Sequence, residues 1–292
     1  MNKTTSGKKD LIARFLTVFG DFKVFKWPLF FLYDPGSYLV KGEDMREVIS
    51  IIRPGDILLR GYISYLDGYF IPGYFSHVGL FLGKVDKDSL DSIWSDEYAP
   101  LDYVKSLCRS GEQMVIHSMA EGVFMEDLLN FCRCDYMAIL RFPAQLQSDN
   151  SPPPQVFDAD LYNREENEVE GRLKRGEVVY FKEVFPIIYK LALSQLGRDY
   201  DFRFNFKSFD TFSCSELLYY CAKSLCWHLN LCPTEKKALL FFKKNMLEPD
   251  AYARCPKLDL VWQSKSVDQN IISEMRKEAA ASQPASALSS VA

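Results

Sequence analysis

The sequence predicts an α+β fold, and the order of its patterned segments carries that expectation. Short strand-type runs fill the middle of the chain: Ile57 to Arg60, Phe75 to Gly83, Met114 to Ser118, Val123 to Met125 and Tyr136 to Phe142. Two stretches with helical spacing come later. One is Phe181 to Leu196; the other runs from Cys214 through Leu217, Leu218, Cys221, Ala222 and Leu225. Strands gathered first and helices afterwards is the α+β order.

Taken in order, residues 11–33 are dense in Leu, Phe, Val, Trp and Tyr, with Arg14, Lys23 and Lys26 interleaved. Leu11, Phe15, Phe19 and Phe22 fall near helical spacing, so a helix is expected here. It would lie in a membrane surface, basic groups toward anionic headgroups, or pack on the catalytic domain or a partner chain. Residues 1–44 are read as this amphipathic segment and 45–262 as the main domain. Arg53-Pro54-Gly55-Asp56 makes a turn before the first strand of the domain. In the next strand, alternation puts His77, Gly79 and Phe81 on one face and Val78, Leu80 and Leu82 on the other. Residues 145–177 are charged and led by Pro152-Pro153-Pro154, which predicts a mobile insertion. Gly197 should end the 181–196 helix. Residues 263–292 read as a disordered tail.

Composition narrows the functional classes. The chain has 292 residues, 48% of them hydrophobic, and a formal net charge of −4. That is ample for a core and gives no electrostatic reason to expect nucleic acid as a partner. No apolar run reaches the roughly 20 residues needed to cross a bilayer. The opening residues lack a secretory pattern, so the expected location is cytoplasmic, peripheral at a membrane if residues 11–33 bind one, with the eight cysteines reduced. Cys132-x-Cys134 is too tightly spaced for a zinc pair and has no matching second pair. Neither metal nor cofactor is expected.

Phe212-Ser213-Cys214-Ser215-Glu216 is where chemistry concentrates. Asp210, Thr211 and Ser213 are capping residues at the start of a helical run. A cysteine in that first turn feels the positive end of the helix dipole, which favours thiolate, and lies beside free N–H donors suited to an oxyanion. The plainer alternative is a small buried cysteine. A thiol nucleophile needs a base, and the base needs an orienting group. The chain has three histidines; His228 lies beyond the cysteine helix, whereas His77 and His117 sit in strands that can share a sheet. His77 is then the base and His117 its orienter, with Glu121 and Glu126 competing for the orienting role.

The quoted motifs resemble a family. Arg53-Pro54-Gly55-Asp56-Ile57-Leu58, Ser76-His77-Val78-Gly79, Val115-Ile116-His117-Ser118, Leu196-Gly197-x-x-Tyr200-Asp201-Phe202 and Cys214-Ser215-Glu216-Leu217 together are similar to the permuted papain-like NlpC-type cysteine hydrolases. The YiiX/YebB-like branch is nearest, and lecithin retinol acyltransferase is more distant. The resemblance implies a permuted papain-like fold, with an antiparallel, partly barrel-like sheet packed on the nucleophile-bearing helix. It implies Cys214 as nucleophile, His77 as base and His117 as orienter, with Ser213, Ser76, Glu121 and Tyr200 as oxyanion or pocket candidates. Acyl transfer through a thioester follows, acting as amidase, peptidase, acyl hydrolase or acyltransferase. A lipid-linked amide or ester is the expected substrate. Murein-type peptides, or a non-catalytic module that keeps the pocket, are the alternatives.

Overall fold

Apolar strands in the chain pair into one antiparallel sheet, and their alternation builds two cores at once. The computed structural model describes residues 22–26, 29–33, 38–63, 73–86, 110–147, 164–202, 206, 209–238 and 242–281. The elements in the first half are β1 (Phe22–Lys26), β2 (Leu29–Tyr33), α1 (Gly42–Ile51), β3 (Ile57–Gly61), β4 (His77–Val85), β5 (Gly111–Met119), β6 (Gly122–Asp127), α2 (Leu128–Phe131), β7 (Tyr136–Arg141) and β8 (Gln145–Leu146). Then follow α3 (Arg164–Lys174), β9 (Val179–Tyr180), α4 (Phe181–Ser194), α5 (Cys214–Cys221), α6 (Lys223–His228), β10 (Thr234–Ala238), β11 (Phe242–Met246), α7 (Pro249–Arg254), β12 (Asp259–Gln263) and α8 (Ile271–Ala281).

The main sheet has six strands in the order β12-β7-β3-β4-β5-β6, with every neighbouring pair antiparallel. Ile57, Leu59, Val78, Leu80, Ile116 and Leu140 face the larger core, where Val184 and Ile188 of α4 and Leu217 and Leu218 of α5 meet them. Leu58, Phe81, Val115 and Ile139 face a smaller core closed by Val48 of α1 and by Leu128 and Phe131 of α2. Each such side chain contributes about 1.5–3 kcal/mol when fully buried. The expected partial barrel does not close, because β12 and β6 stand at opposite ends of the linear strand order. Helices cover both faces, so the sheet buries its apolar surface without curling on itself.

The turn before β3 explains the Arg-Pro-Gly-Asp motif. Gly55 adopts φ +93° and its N–H donates to the Phe81 carbonyl at 2.8 Å. The buried Asp56 carboxylate accepts from Arg53 N at 2.8 Å and, in a two-pronged pair, from Arg141 Nε and Nη2 at 2.7 Å each.

Three expectations about the flanking segments are corrected. Residues 22–26 and 29–33 are two antiparallel paired strands, not a helix, with Phe22 opposite Tyr33 and Phe25 opposite Phe30. Val24, Phe25, Phe30, Phe31 and Tyr33 are strong strand formers, and Pro28 between the runs interrupts any helix; residues 11–21 lie outside the described residues. The 145–177 insertion contains α3, whose Val169 and Leu173 are buried in the larger core; residues 148–163 lie outside the described residues. The supposed tail carries α8, with Ile272 and Met275 in the same core, and only residues 282–292 fall outside. Among the described residues no helix is long and apolar enough to cross a membrane.

Candidate active site

Cys214 is the first residue of α5, and its position follows from the residues around it. Ser213 caps the helix: its Oγ accepts from Glu216 N at 3.4 Å, and its own N–H donates to Glu216 Oε2 at 2.8 Å. This Ser-x-x-Glu pairing is a capping box. The other Glu216 oxygen accepts from Phe206 N at 3.0 Å, a residue held at φ +49°. Ser118 Oγ, on β5, donates to the Phe212 carbonyl at 2.6 Å and moors the preceding loop to the sheet. Tyr252 of α7 donates to the Ser215 carbonyl at 3.3 Å.

The Cys214 thiol is 5% exposed. Backbone N–H groups of Val78 and Ser215 point at Sγ, and Ser215 Oγ lies 4.0 Å away. Burial outweighs these donors and pushes the thiol above its usual value. The thiolate expected from the helix dipole is therefore not the resting state: desolvation of the charged form wins over a few first-turn dipoles.

Val78, whose amide meets Sγ, directly follows His77 at the start of β4. His77 Nε2 lies 2.9 Å from His117 Nδ1, and the rings meet edge to face at 82°. No hydrogen bond joins His77 to Cys214 among the described residues; the sulfur takes the amide one peptide away instead. Glu126 Oε1 lies 2.9 Å from His117 Nε2, close in distance but off the line of a well-aligned hydrogen bond. Glu126 also reaches Arg60 Nη1 at 3.4 Å. Burial, then the Arg60 charge and His117, hold His77 well below the usual imidazole value. His117 is brought down to about 4, chiefly by burial, with Glu126 opposing the shift. Burial alone would raise Glu126, but His117 and Arg60 bring it down. The Cys214 thiol and the His77 ring are thus both neutral at rest.

The remaining candidates divide. Ser76 is buried, its Oγ without a hydrogen-bond partner, beside His77. Tyr200 is half-buried and packs edge-on against Phe202 at 4.9 Å. Ser213 serves as the helix cap. Glu121 is exposed at the β5–β6 turn, and the carboxylate beside His117 is Glu126. The two-residue turn pairs His117 with Phe124, which puts Glu126 on the histidine's face, diagonal to it. His228 ends α6, half-buried. Sequence reasoning passed over Arg60, whose signal is an arginine on the face shared with Leu58 in an otherwise apolar strand. It also passed over Asp250 and Tyr252, where no motif marks them. Among the described residues no group of His, Cys, Asp and Glu side chains is arranged to hold a metal ion.

An antiparallel sheet that carries a histidine pair, followed by a helix that begins at a cysteine, is an arrangement compatible with the class of cysteine hydrolases in which the sheet precedes the cysteine. Within it, the family described as permuted papain-like amidase enzyme, YaeF/YiiX, C92 family, matches residues 51–152. The match supports the permuted papain-like superfamily, YiiX branch, over the stretch from β3 to β7 that carries both histidines; Cys214 follows that stretch. Comparison with curated proteins and with solved structures gave no match.

Proposed function

We propose that the chain is a cysteine hydrolase in which Cys214 attacks an amide or ester carbonyl, His77 moves the proton and His117 orients His77. The observation that carries this reading is the 2.9 Å His77–His117 hydrogen bond, on a sheet whose Val78, next to His77 in sequence, lines the same cavity as Cys214. The family match supports amidase chemistry. Because thiol and imidazole start neutral, the Sγ proton passes to His77 as the S–C bond forms. First-turn amides of α5 stabilise the oxyanion. The C–N or C–O bond then breaks, and His77 returns the proton to the leaving group. Water, activated in turn by His77, or another acceptor, releases the acyl group from the thioester.

A lipid-linked amide or ester is the proposed substrate class, and the aromatic and basic residues 11–33 are the segment proposed to meet a membrane. Vesicle flotation with and without them tests the second point. A non-catalytic module is the second reading, and the missing Cys214–His77 hydrogen bond favours it.

Intact-mass detection of an acyl adduct decides between the two, using a panel of lipid esters, lipid amides and short murein-type peptides. Wild type is compared with Cys214→Ala and His77→Ala. An adduct lost in Cys214→Ala identifies the nucleophile, and its mass names the acyl group. No adduct from any member of the panel moves the assignment to the binding module.

A further inference from the structure

Only one nitrogen of a neutral imidazole can accept a proton, so the tautomer of His77 decides whether it works as a base. His77 Nε2 faces His117 Nδ1 at 2.9 Å, and one of the two must donate. The choice is made on the far side of His117, where Nε2 meets Glu126 Oε1 at 2.9 Å. An ionised carboxylate only accepts, and a bare ring nitrogen at that distance would set a lone pair against an anionic oxygen. His117 therefore carries its proton on Nε2, and its Nδ1 is bare. His77 must then donate from Nε2, which leaves its Nδ1 as the free lone pair.

Glu126 is held for this role. Arg60, opposite His77 in the β3–β4 register, is 4% exposed. It donates from Nη1 to the Phe131 carbonyl at 3.0 Å and approaches Glu126 at 3.4 Å. Its Nη2 meets Met119 Sδ at 3.2 Å, and its guanidinium lies 4.2 Å from the centre of the Phe131 ring. The off-axis Glu126–His117 contact fits a carboxylate shared between the ring and this cation. The charged or titratable groups at the histidine pair are Arg60 from β3 and Glu126 from β6, while α2 contributes the Phe131 ring.

We propose that Glu126, clamped by Arg60, is a positioning residue that fixes the tautomer of His117 and, through it, leaves Nδ1 of His77 as the proton acceptor. This rests on the hydrolase reading for its purpose, but not for its test. Long-range nitrogen–proton correlation spectra of the full chain report the tautomer of each histidine, and with three in the sequence the assignment is tractable. Wild type should show His77 and His117 both protonated on Nε2. In Glu126→Gln the amide can donate to His117 Nε2, and in Glu126→Leu nothing polar faces it. Both variants should populate Nδ1-protonated His77, and kcat should fall roughly 10²–10⁴-fold, the range of lost general-base assistance, with KM near wild type.

Wild-type His117 protonated on Nδ1 overturns the proposal, and that spectrum decides even if neither variant folds. An unchanged His77 tautomer in the folded variants overturns it as well. The spectra need no substrate, so the expected tautomers with no acyl adduct would sink the hydrolase reading alone.

Discussion

Gly79 leaves the space that the Phe131 ring fills: a Cβ at residue 79 would lie 2.6 Å from Phe131 Cε2 and 3.0 Å from Val115 Cγ1. Phe131 cannot retreat freely, because its ring is 5.8 Å from His77 and 5.3 Å from His117 and carries the Arg60 guanidinium. Gly79→Ala should therefore cost about 1–3 kcal/mol, as overpacking does. It should also lower adduct formation at Cys214 below what the stability loss explains. Denaturant unfolding beside the intact-mass assay checks both, and a change in stability within about 0.5 kcal/mol, ordinary for a surface site, would show that the ring is not held as described.

The pH dependence of the site should be displaced at both ends. His77 is held well below 6.5, so it stays an unprotonated base at pH values where a free imidazole is charged. The acid limb of kcat/KM should accordingly fall below pH 6.5. The Cys214 thiol lies above its usual 9.0, so alkylation by iodoacetamide should still be accelerating beyond pH 9. An acid limb at or above 6.5 would mean an imidazole that burial does not depress, and alkylation already at its plateau by pH 8 would mean a thiolate held by the first turn of α5. His117 adds a stability effect. Its folded value of about 4 lies below 6.5, so the unfolded chain binds the extra proton between them. Stability should rise by up to about 1.4 kcal/mol per pH unit across that window and be lost as pH falls toward 4.

The sheet was legible because its signal is local. Val78, Leu80 and Leu82 alternate with His77, Gly79 and Phe81, and burial on two different cores follows that alternation. The capped helix start at Cys214 and the strands that carry His77 and His117 were legible because both are short-range patterns. The protonation state of Cys214 was not, since desolvation depends on α4, α5 and β4 closing over the sulfur, which no local pattern records. Arg60 and Glu126 lie 66 positions apart in sequence, and nothing in either run names the other. Residues 22–26 and 29–33 misled for a different reason: aromatic side chains suit a helix face and a strand equally, and the antiparallel pairing of the two runs decides between them.

Glu216 should oppose His117. Burial, then the charge of Asp201, raises it to about 7, above its usual 4.5. Its contribution to stability is present in full below about 4.5 and is lost as pH rises through about 7. Replacing it in Glu216→Gln should turn the slope of stability against pH more positive by up to about 1.4 kcal/mol per unit between pH 4.5 and 7. The variant should also be less stable by about 1–3 kcal/mol, because an amide NH₂ then faces Ser213 N or Phe206 N. Chemical denaturation at several pH values across that window reads both effects; a slope identical to wild type would mean that Glu216 is ionised throughout.

Asp250 ties the approach to His77 to the far end of the fold. Its two carboxylate oxygens accept from Phe75 N and Tyr74 N at 2.7 Å each, and Arg254 pairs with it at 3.5 Å. Gly73, at φ +138°, has no Cβ because one would stand 2.7 Å from Asp250 Oδ2. Asp250 holds the residues before His77, and Tyr252, on the same short helix, donates to the Ser215 carbonyl in the first turn of α5. Asp250→Asn keeps the shape but turns an NH₂ toward one of the two amides, which costs about 1–3 kcal/mol for a buried donor left unpaired. Hydrogen exchange should quicken at Tyr74 and Phe75 before it quickens in β5, and Cys214 alkylation should change with it. Equal exchange at residues 74 and 75 in wild type and variant would show that the carboxylate does not hold this segment, and that β4 alone sets the place of His77.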